Sequence, residues 1–433
     1  MQESKQYAAQ KWLDLLFDTG TYQQMERKRE AGGTPAGLLC AYGRVNGRPV
    51  CAFAQDHACQ SGALGTAQTE MLLELYALAE KIGCPIVGIY DSDGAWVKDA
   101  ARPLRDYGTL MQRAASLSGL VPQFSVVAGP CLGSAAIWAA SADFLLMTQE
   151  GRLYLTPNAT ESPESAAHAG IAAAVLETVE EAIQLVRQLL VRLPSNNLES
   201  VSVAPPVPPV QQQATLAGLV DAGSFSSLWE AFGSGVTAGL AAIEGISVGM
   251  LVFSGSLHST DCLKAARFLR ICDAFSIPVV SVLEHVEFVE NNIAELRAMT
   301  RLAGCYGEAT TGMLSIVTGE AIGSIGAIVL GKPAADRRLA ISEAVIAPMA
   351  PLTAAEFFYH DALQGTTDLH AAQKQLADRY RTDVVSARAA VESGLVDQIV
   401  STEQLRQATA SALTLLRRKR MATQPKKHHT IPF

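Results

Sequence analysis

The stretch LGTAQTEMLLELYALAEKIGCPIVGIYD at 64–91 lines up with LHSTDCLKAARFLRICDAFSIPVVSVLE at 257–284. When similar segments recur in the same order along one chain, the chain contains an internal duplication. Two further pairs keep the same order: DTGTYQQM at 18–25 with DAGSFSSL at 221–228, and SVVAGPCLGSAA at 125–136 with SIVTGEAIGSIG at 315–326. The sequence therefore predicts two copies of one domain.

Each copy combines short apolar strands with amphipathic helices. In the first copy, a glycine-bearing strand or hairpin at 38–56 precedes a helix, and a strand that follows Pro85 comes next. A helix over about 103–117 leads to a strand at 122–128, a glycine turn and another helix. This alternation predicts an α/β layer fold. The predicted helix carries its apolar residues at helical spacing: Leu64, Met71, Leu75, Leu78 and Ile82.

A proline-rich segment, APPVPPVQQQ at 204–213, lies between the copies. Its prolines favour extended polyproline geometry and oppose helix and sheet pairing. We therefore expect an N-terminal domain at 1–203, a linker at 204–213 and a C-terminal domain at 214–433.

Composition narrows the class of protein. The 433 residues include 34 Lys and Arg against 42 Asp and Glu, a net charge of −8, and 49% are hydrophobic, which argues against a disordered chain and against a nucleic-acid binder. Eight cysteines show no zinc-binding spacing, and the first residues lack the apolar core of a signal peptide, so we expect a cytoplasmic protein. The uncharged run 120–142 is interrupted by prolines and glycines, which favours a strand, turn and helix over a membrane span.

The turn GPCLGS at 129–134 is the first candidate site, because a strand is expected to end and a helix to begin there. Unpaired backbone N–H groups at a helix start can hold an oxyanion. The sequence also fits a nucleophile elbow with Cys131 as nucleophile, but the second copy, GEAIGS at 319–324, has Ala321 at that position. The duplication therefore favours a backbone site, and a third interpretation is that the glycines only permit close packing.

A second candidate is DSDGA at 91–95, where Gly94 allows a tight turn beside the same pocket. The second copy has Glu284, His285 and Glu287 there, with Glu290 nearby. This cluster is open to interpretation as metal ligands, as acid–base groups or as a solvated loop entering a helix, and we expect no metal site. The scattered histidines, namely His57, His168 and His258, are interpreted as packed or surface residues.

Several motifs together resemble one family, the carboxyltransferase subunits of biotin-dependent acyl-CoA carboxylases, transcarboxylases and decarboxylases. The resemblance runs from about residue 11 to the C-terminus. It is carried by FDTGTY at 17–22, YGRVNGRPVCAFAQD at 42–56, SGALG at 61–65, PIVGIYDSDGA at 85–95, LSGLVPQFSVVAGPCLGSAA at 117–136, ADFLLM at 142–147, KAARFLRICDAFSIPVV at 264–280 and KKHHTIPF at 426–433.

The resemblance implies two tandem crotonase-like domains of α/β class that arose by duplication. It implies that the first domain holds an acyl-CoA thioester, with Gly94, Ala95, Gly133 and Ser134 around the thioester oxygen. It places Gly323 and Ser324 at the ureido oxygen of biotin, and Glu287 and Phe288 on the biotin side. In this family the site is shared between subunits of a homo-oligomer, a dimer or a hexamer.

The resemblance also implies the reaction and the partners. Carboxyl is exchanged between biotin and propionyl-CoA/methylmalonyl-CoA, acetyl-CoA/malonyl-CoA or glutaconyl-CoA through an enolate of the thioester. Biotin resides on a separate carrier protein, because no Met-Lys-Met carrier segment is present. Further partners would be a biotin carboxylase subunit or, in a decarboxylase, a membrane subunit.

The chain departs from the family pattern at identifiable positions. The usual D-S-G-G-A-R reads DSDGAW, with Asp93 for a glycine and Trp96 for the arginine, and Glu287 replaces the glycine of V-P-G-F in the second domain. Two alternatives follow from these changes. One is a non-catalytic acyl-CoA-binding or scaffolding subunit, and the other is a biotin-independent decarboxylase or hydrolase that uses only the first pocket.

Overall fold

The chain divides into two compact units. The computed structural model describes residues 8–25, 37–156, 161–210, 215–288, 293–332, 334–364, 368–419, 421 and 430. Unit 1 comprises residues 1–200 and 229–232, and unit 2 comprises residues 201–228 and 233–433. Of the predicted linker, residues 204–210 are grouped with unit 2, and 211–213 lie outside the described residues.

Unit 1 alternates strands and helices as the apolar pattern predicts. Its elements are α1 (Ala8–Leu16), β1 (Gln23–Gln24), β2 (Leu38–Val45), β3 (Arg48–Gln55), α2 (Thr66–Ile82), β4 (Ile86–Ser92), α3 (Arg102–Leu117), β5 (Gln123–Leu132), α4 (Ser134–Ala140), β6 (Phe144–Thr148), β7 (Arg152–Tyr154), α5 (Pro163–His168), β8 (Ala174–Leu176) and α6 (Val179–Arg192).

The strands of unit 1 form one eight-stranded sheet in the order β1-β2-β3-β4-β5-β6-β8, with β7 paired to β5 beyond the main path. The β2–β3 hairpin is antiparallel, and the strands from β3 to β8 are parallel. Parallel strands need crossover connections, which the intervening helices provide. The carboxyl ends of β4 and β5 therefore lie side by side.

Unit 2 repeats this arrangement. Its elements are α7 (Leu216–Leu219), β9 (Ser226–Leu228), β10 (Val236–Ile243), β11 (Ile246–Leu257), α8 (Ser259–Ala274), β12 (Val279–Phe288), α9 (Ile293–Glu308), β13 (Met313–Ile322), α10 (Ser324–Leu330), β14 (Arg337–Ala340), β15 (Val345–Ala347), α11 (Pro351–Phe358), α12 (His360–Leu363), α13 (Leu369–Asp383), α14 (Ala387–Glu392), β16 (Gln398–Ile399) and α15 (Thr402–Leu416).

The sheet of unit 2 has the order β9-β10-β11-β12-β13-β14-β16, with β15 paired to β13. Position by position, this is the order found in unit 1, including the antiparallel hairpin at the start and the short strand that joins the end of a central strand. The predicted α/β class and the predicted duplication are confirmed.

The core of unit 1 surrounds Trp138 on α4. The Trp138 ring stacks on Phe53 with centroids 5.1 Å apart and meets the edge of Tyr90 at 5.1 Å. The buried face of α2 consists of Thr69, Met71, Leu72, Leu75, Tyr76 and Ala79. Two residues that the apolar spacing assigned to this face do not belong to it. Leu64 is buried but precedes the helix, and Ile82 is exposed at the end of the helix.

Two segments that were predicted as turn or loop belong to strands. β5 continues through Gly129, Pro130 and Cys131 to Leu132, because this segment pairs with β7, so the turn is confined to Gly133. β12 likewise continues through 284–288, where it pairs with β11, so the interpretation of this segment as a charged loop was wrong. Within the described residues, no helix combines the length and the apolar character that a membrane crossing requires.

Candidate functional site

The first candidate site lies where β4 and β5 end in unit 1. Ser92 pairs with Cys131 across the two strands, after a shift of register beyond Tyr90. Gly94 has a φ of +94°, and a Cβ atom there would stand 2.7 Å from the carbonyl oxygen of Leu132. Only glycine fits this contact. The turn 94–95 therefore adjoins the turn 133–134, as the sequence predicted.

Backbone hydrogen bonds decide which N–H groups of these turns are available. The Gly94 N–H donates to Ser92 Oγ at 2.9 Å, and the Gly133 N–H donates to the carbonyl of Tyr154 at 2.6 Å. The N–H groups of Ala95 and Ser134 have no acceptor in the part of the chain that the structure describes. The two glycines thus shape the turns, and Ala95 and Ser134 present the open donors.

Unit 2 repeats one of these turns. The Gly323 N–H donates to the carbonyl of Ala347 at 2.8 Å, as Gly133 does to Tyr154. The Ser324 N–H, at the start of α10, has no acceptor among the described residues, and Ser324 is exposed. Because a helix start leaves its first N–H groups unpaired, Ser324 is an open donor like Ser134.

The second turn of unit 1 has no counterpart in unit 2, because β12 remains a strand. Glu287 pairs in register with Ser256 of β11 and is exposed. The backbone of Phe288 closes the strand opposite Leu257, and its side chain lies outside the described part of the chain, as does Glu290. No group of three metal-binding side chains lies close enough to hold an ion within the described residues.

Gly129 and its counterpart Gly319 in the second copy have a packing role. A Cβ on Gly129 would stand 2.1 Å from Oδ1 of Asp91, and a Cβ on Gly319 would stand 2.0 Å from the carbonyl oxygen of Glu284. These distances are far below van der Waals contact. For these two positions, the interpretation as close-packing glycines fits the geometry.

Cys131 lies in the core and is fully buried, and burial raises the pKa of its thiol. A buried thiol with a raised pKa forms little thiolate, which is the nucleophilic form. The geometry therefore does not fit the nucleophile elbow.

Two carboxylates in matching positions of the two units were not predicted from the sequence. Asp18 accepts hydrogen bonds from the N–H groups of Asn46 and Gly47 and from Arg187, whereas Asp221 accepts from Glu244 and Gly245. Asp221 also pairs with Arg406 of α15 at 2.8 Å. Each carboxylate thus joins the first hairpin of its unit to a late helix. The recurrence of Asp-x-Gly in DTGTY and DAGSF was the available signal.

His57 is the second residue whose setting was missed. Its Nε2 lies 3.1 Å from Oδ1 of Asp93, directly before the Gly94 turn, so it is not an isolated surface histidine. The signal was the replacement of a family glycine by Asp93.

Comparison with known proteins gives the family. The pattern of the carboxyl transferase domain matches residues 3–431. The chain belongs to the carboxyl transferase family. This carboxyltransferase is 30% identical to the propionyl-CoA carboxylase beta chain of Saccharopolyspora erythraea, with 98% of this chain and 90% of the relative covered. It is 28% identical to the methylmalonyl-CoA decarboxylase subunit alpha of Propionigenium modestum, covering 99% and 94%.

Among solved structures, the carboxyltransferase matches transcarboxylase 12S, described as a hexamer with hydrolysed methylmalonyl-coenzyme A bound. The TM-score is 0.90 at 26% identity, covering 99% of this chain and 93% of the other. The predicted family, the crotonase-like fold and the assignment as a carboxyl-transferring enzyme are confirmed.

Proposed function

We propose that this carboxyltransferase moves a carboxyl group between biotin and an acyl-CoA of the propionyl/methylmalonyl, acetyl/malonyl or glutaconyl type. The observation that carries the proposal is the repeated turn: Ser134 in unit 1 and Ser324 in unit 2 each present an open N–H after a glycine whose own N–H is engaged. The names of the relatives support acyl-CoA as the substrate class.

The chemistry in unit 1 follows from the open donors. Loss of the carboxyl group, or of the α-proton, leaves negative charge on the thioester oxygen as an enolate. The N–H groups of Ala95 and Ser134, on adjoining turns, would donate to that oxygen, while Gly94 and Gly133 hold the turns. Preorganised donors of this kind contribute about 3–4 kcal/mol each in other enzymes. No side-chain nucleophile is required.

Unit 2 would serve the biotin side. When bound, the ureido ring of biotin would supply or accept the carboxyl group, and its oxygen would then gain negative charge. The Ser324 N–H fits such an oxygen, Gly323 shapes its turn, and Glu287 and the backbone of Phe288 lie at the neighbouring end of β12. The carrier protein that bears biotin, and a biotin carboxylase or membrane decarboxylase subunit, would be separate chains.

The proposal includes a homo-oligomer, a dimer or a hexamer, in the cytoplasm. Its support is an apolar surface on α11 formed by Leu352, Phe357 and Phe358, which are all exposed in the single chain.

Proline substitution tests the donors without removing the helices, because proline is favoured at the first helical position and lacks an N–H. We expect Ser134→Pro to lower carboxyl transfer from methylmalonyl-CoA to free biotin by about 100- to 1,000-fold. Ser134→Ala, which keeps the N–H, should retain most activity. Isotopic carboxyl transfer and acyl-CoA affinity are the measurements.

The matched pair Ser324→Pro and Ser324→Ala tests unit 2. Ser324→Pro should abolish transfer to biotin and leave acyl-CoA affinity unchanged. Decarboxylation that is indifferent to biotin in the wild type would replace the proposal with a one-pocket enzyme. Acyl-CoA binding without any turnover would replace it with the scaffolding role.

A further inference from the structure

The first turn of α4 carries an apolar side chain that the core of unit 1 does not enclose. Ile137 is 50% exposed, whereas its neighbours Ala136 and Trp138 are buried. The Ile137 N–H donates to the carbonyl of Gly133 at 3.3 Å, so Ile137 lies one helical turn beyond the glycine turn. Packing within unit 1 therefore leaves half of this side chain open at the helix start that presents the Ser134 donor.

Helix geometry places the Ile137 side chain beside that donor. In an α-helix, a side chain leans toward the N-terminus and covers the residues three and four positions earlier. For Ile137, these residues are Ser134 and Gly133. Three residues rise about 4.5 Å along the helix axis, which is about the distance at which apolar groups are in contact. A group that accepts the Ser134 N–H would therefore have the Ile137 side chain as a neighbour.

The glycine turn leaves room for such a group. A Cβ atom added to Gly133 would meet no atom within 4 Å among the described residues, its two chain neighbours aside. A second exposed apolar residue, Leu155, directly follows Tyr154, whose carbonyl accepts the Gly133 N–H. The space at this turn is thus open, and the side chains of Ile137 and Leu155 make its surroundings apolar.

The fold itself does not require isoleucine at this position. In the alignment of the two copies, Ala327 of α10 takes the place of Ile137, and α10 starts from the same glycine turn with Ser324 as its first residue. Unit 2 thus builds the same helix start with a single methyl group where unit 1 has a bulky, branched side chain. The larger side chain is therefore a property of the first site.

We propose that Ile137 is a wall of the acyl pocket in unit 1 and limits the substrate to short acyl groups, the acetyl/malonyl and propionyl/methylmalonyl pairs. This proposal rests on the proposed function and narrows it. With the thioester oxygen held by the Ala95 and Ser134 N–H groups, the substituent on the α-carbon would meet Ile137.

The chemistry of the side chain suits size selection. A β-branched residue has one strongly preferred rotamer in a helix, so Ile137 cannot easily turn aside for a longer acyl group. An added methylene group would then crowd the wall, as an overpacked core does. The second carboxylate of glutaconyl-CoA would lose hydration against an apolar surface without gaining a hydrogen bond, which disfavours that substrate.

The experiment compares methylmalonyl-CoA with ethylmalonyl-CoA, which has one more methylene group on the α-carbon, as carboxyl donors to free biotin. With the full-length protein, we expect kcat/KM to be about 10- to 200-fold lower for ethylmalonyl-CoA. Ile137→Ala should reduce this difference by at least about fivefold, mainly through a higher kcat/KM for ethylmalonyl-CoA.

The matched control is Ile82→Ala. Ile82 is 48% exposed and ends α2, which leads into the start of β4, at the opposite edge of the sheet from the Gly94 turn. This variant should keep the selectivity of the wild type.

A larger side chain gives the converse test. Ile137→Phe should lower kcat/KM for methylmalonyl-CoA about tenfold more than for malonyl-CoA. A purely structural effect of the substitution would lower both values equally and would contradict the inference.

Binding measurements separate the inference from the proposed function. Titration calorimetry should show that the wild type binds propionyl-CoA several-fold more tightly than butyryl-CoA, and that Ile137→Ala reduces this difference. That result without any carboxyl transfer would support the wall and overturn the proposed function. Carboxyl transfer with equal selectivity in the wild type and Ile137→Ala would overturn the inference alone. A changed sedimentation coefficient of Ile137→Ala at unchanged selectivity would also overturn it and would assign Ile137 to a subunit contact.

Discussion

At the scale of single residues, the glycines of this carboxyltransferase have different roles that look alike in sequence. Gly94, Gly133 and Gly323 have positive φ and form turns, whereas Gly129 and Gly319 lie within strands against atoms of the neighbouring strand. The GxxxG spacing of the two copies thus combines a packing glycine with a turn glycine. The packing glycine allows neighbouring strands to approach closely. The turn glycine precedes a residue whose N–H group is open.

Substitution of a packing glycine should destabilise the protein. Gly319→Ala would place a Cβ 2.0 Å from the carbonyl oxygen of Glu284, so β12 and β13 must separate. We expect a loss of about 1–3 kcal/mol in the free energy of unfolding, as for other overpacked sites. Urea denaturation monitored by circular dichroism measures this.

The control is Gly307→Ala, within α9 of the same unit. Among the described residues, no atom outside its chain neighbours and the backbone of its own helix lies within 4 Å of the added Cβ. Because alanine favours helix over glycine, a gain of about 0.5–1 kcal/mol in the free energy of unfolding is expected. Equal stability of the two variants would show that β12 adapts freely to the added methyl group.

At the scale of elements, each unit ties its first hairpin to a helix much later in the chain. Arg187 of α6 binds the Asp18 carboxylate at 3.0 Å and also donates to the carbonyl of Leu16. Arg406 of α15 binds Asp221 and donates to the carbonyl of Leu219 at 2.7 Å. The same tie appears in both copies, although the intervening loops differ in length.

The interaction of Asp18 with Arg187 and the first hairpin predicts that the free energy of unfolding depends on pH. The Gly47 N–H, the Asn46 N–H and Arg187 hold the pKa of Asp18 below its ordinary value, against burial, which raises it. A carboxyl group whose pKa is lower in the folded state than in the unfolded state stabilises the folded protein. This contribution is fully present above the unfolded pKa of about 3.9 and is lost as the pH falls through the folded pKa.

Asp18→Asn should therefore be less stable than the wild type at neutral pH, and the difference should shrink as the pH falls below about 4. Urea denaturation across a pH series tests this. Glu150→Gln, an exposed substitution in the same unit, should leave the pH dependence unchanged. A constant difference between Asp18→Asn and wild type at all pH values would argue against the carboxylate as the cause.

At the scale of the whole molecule, the apolar surface on α11 is the feature that a single chain leaves unexplained. Phe357 is 73% exposed, and its ring centroid lies 5.2 Å from that of Phe358. Exposed aromatic side chains in a cluster are typical of subunit interfaces.

Phe357→Asp should weaken the proposed homo-oligomer, because it places a charge in an apolar contact. Sedimentation velocity should then show a smaller species than the wild type at the same concentration. Leu198→Asp, at an exposed apolar site of unit 1, is the control and should not change the assembly. An unchanged mass for Phe357→Asp would exclude α11 from the interface.

The sequence alone determined the duplication, the α/β class and the family, because these depend on repeated patterns of apolar residues and glycines. It also located the two turns of unit 1 and the matching turn of unit 2. The period of the apolar residues, however, cannot tell where a strand stops. Thus 129–132 and 284–288 were interpreted as turn or loop although both are paired strand.

Only the tertiary structure decided which donors are open and which side chains meet. Gly133 and Gly323 give their N–H groups to carbonyls of the short strands β7 and β15, which leaves the donors to Ser134 and Ser324. His57 meets Asp93 across 36 residues, and Arg406 meets Asp221 across 185 residues. These residues become neighbours because the sheet brings together segments that are far apart in the chain. The local sequence around each residue does not indicate which distant residue it will meet.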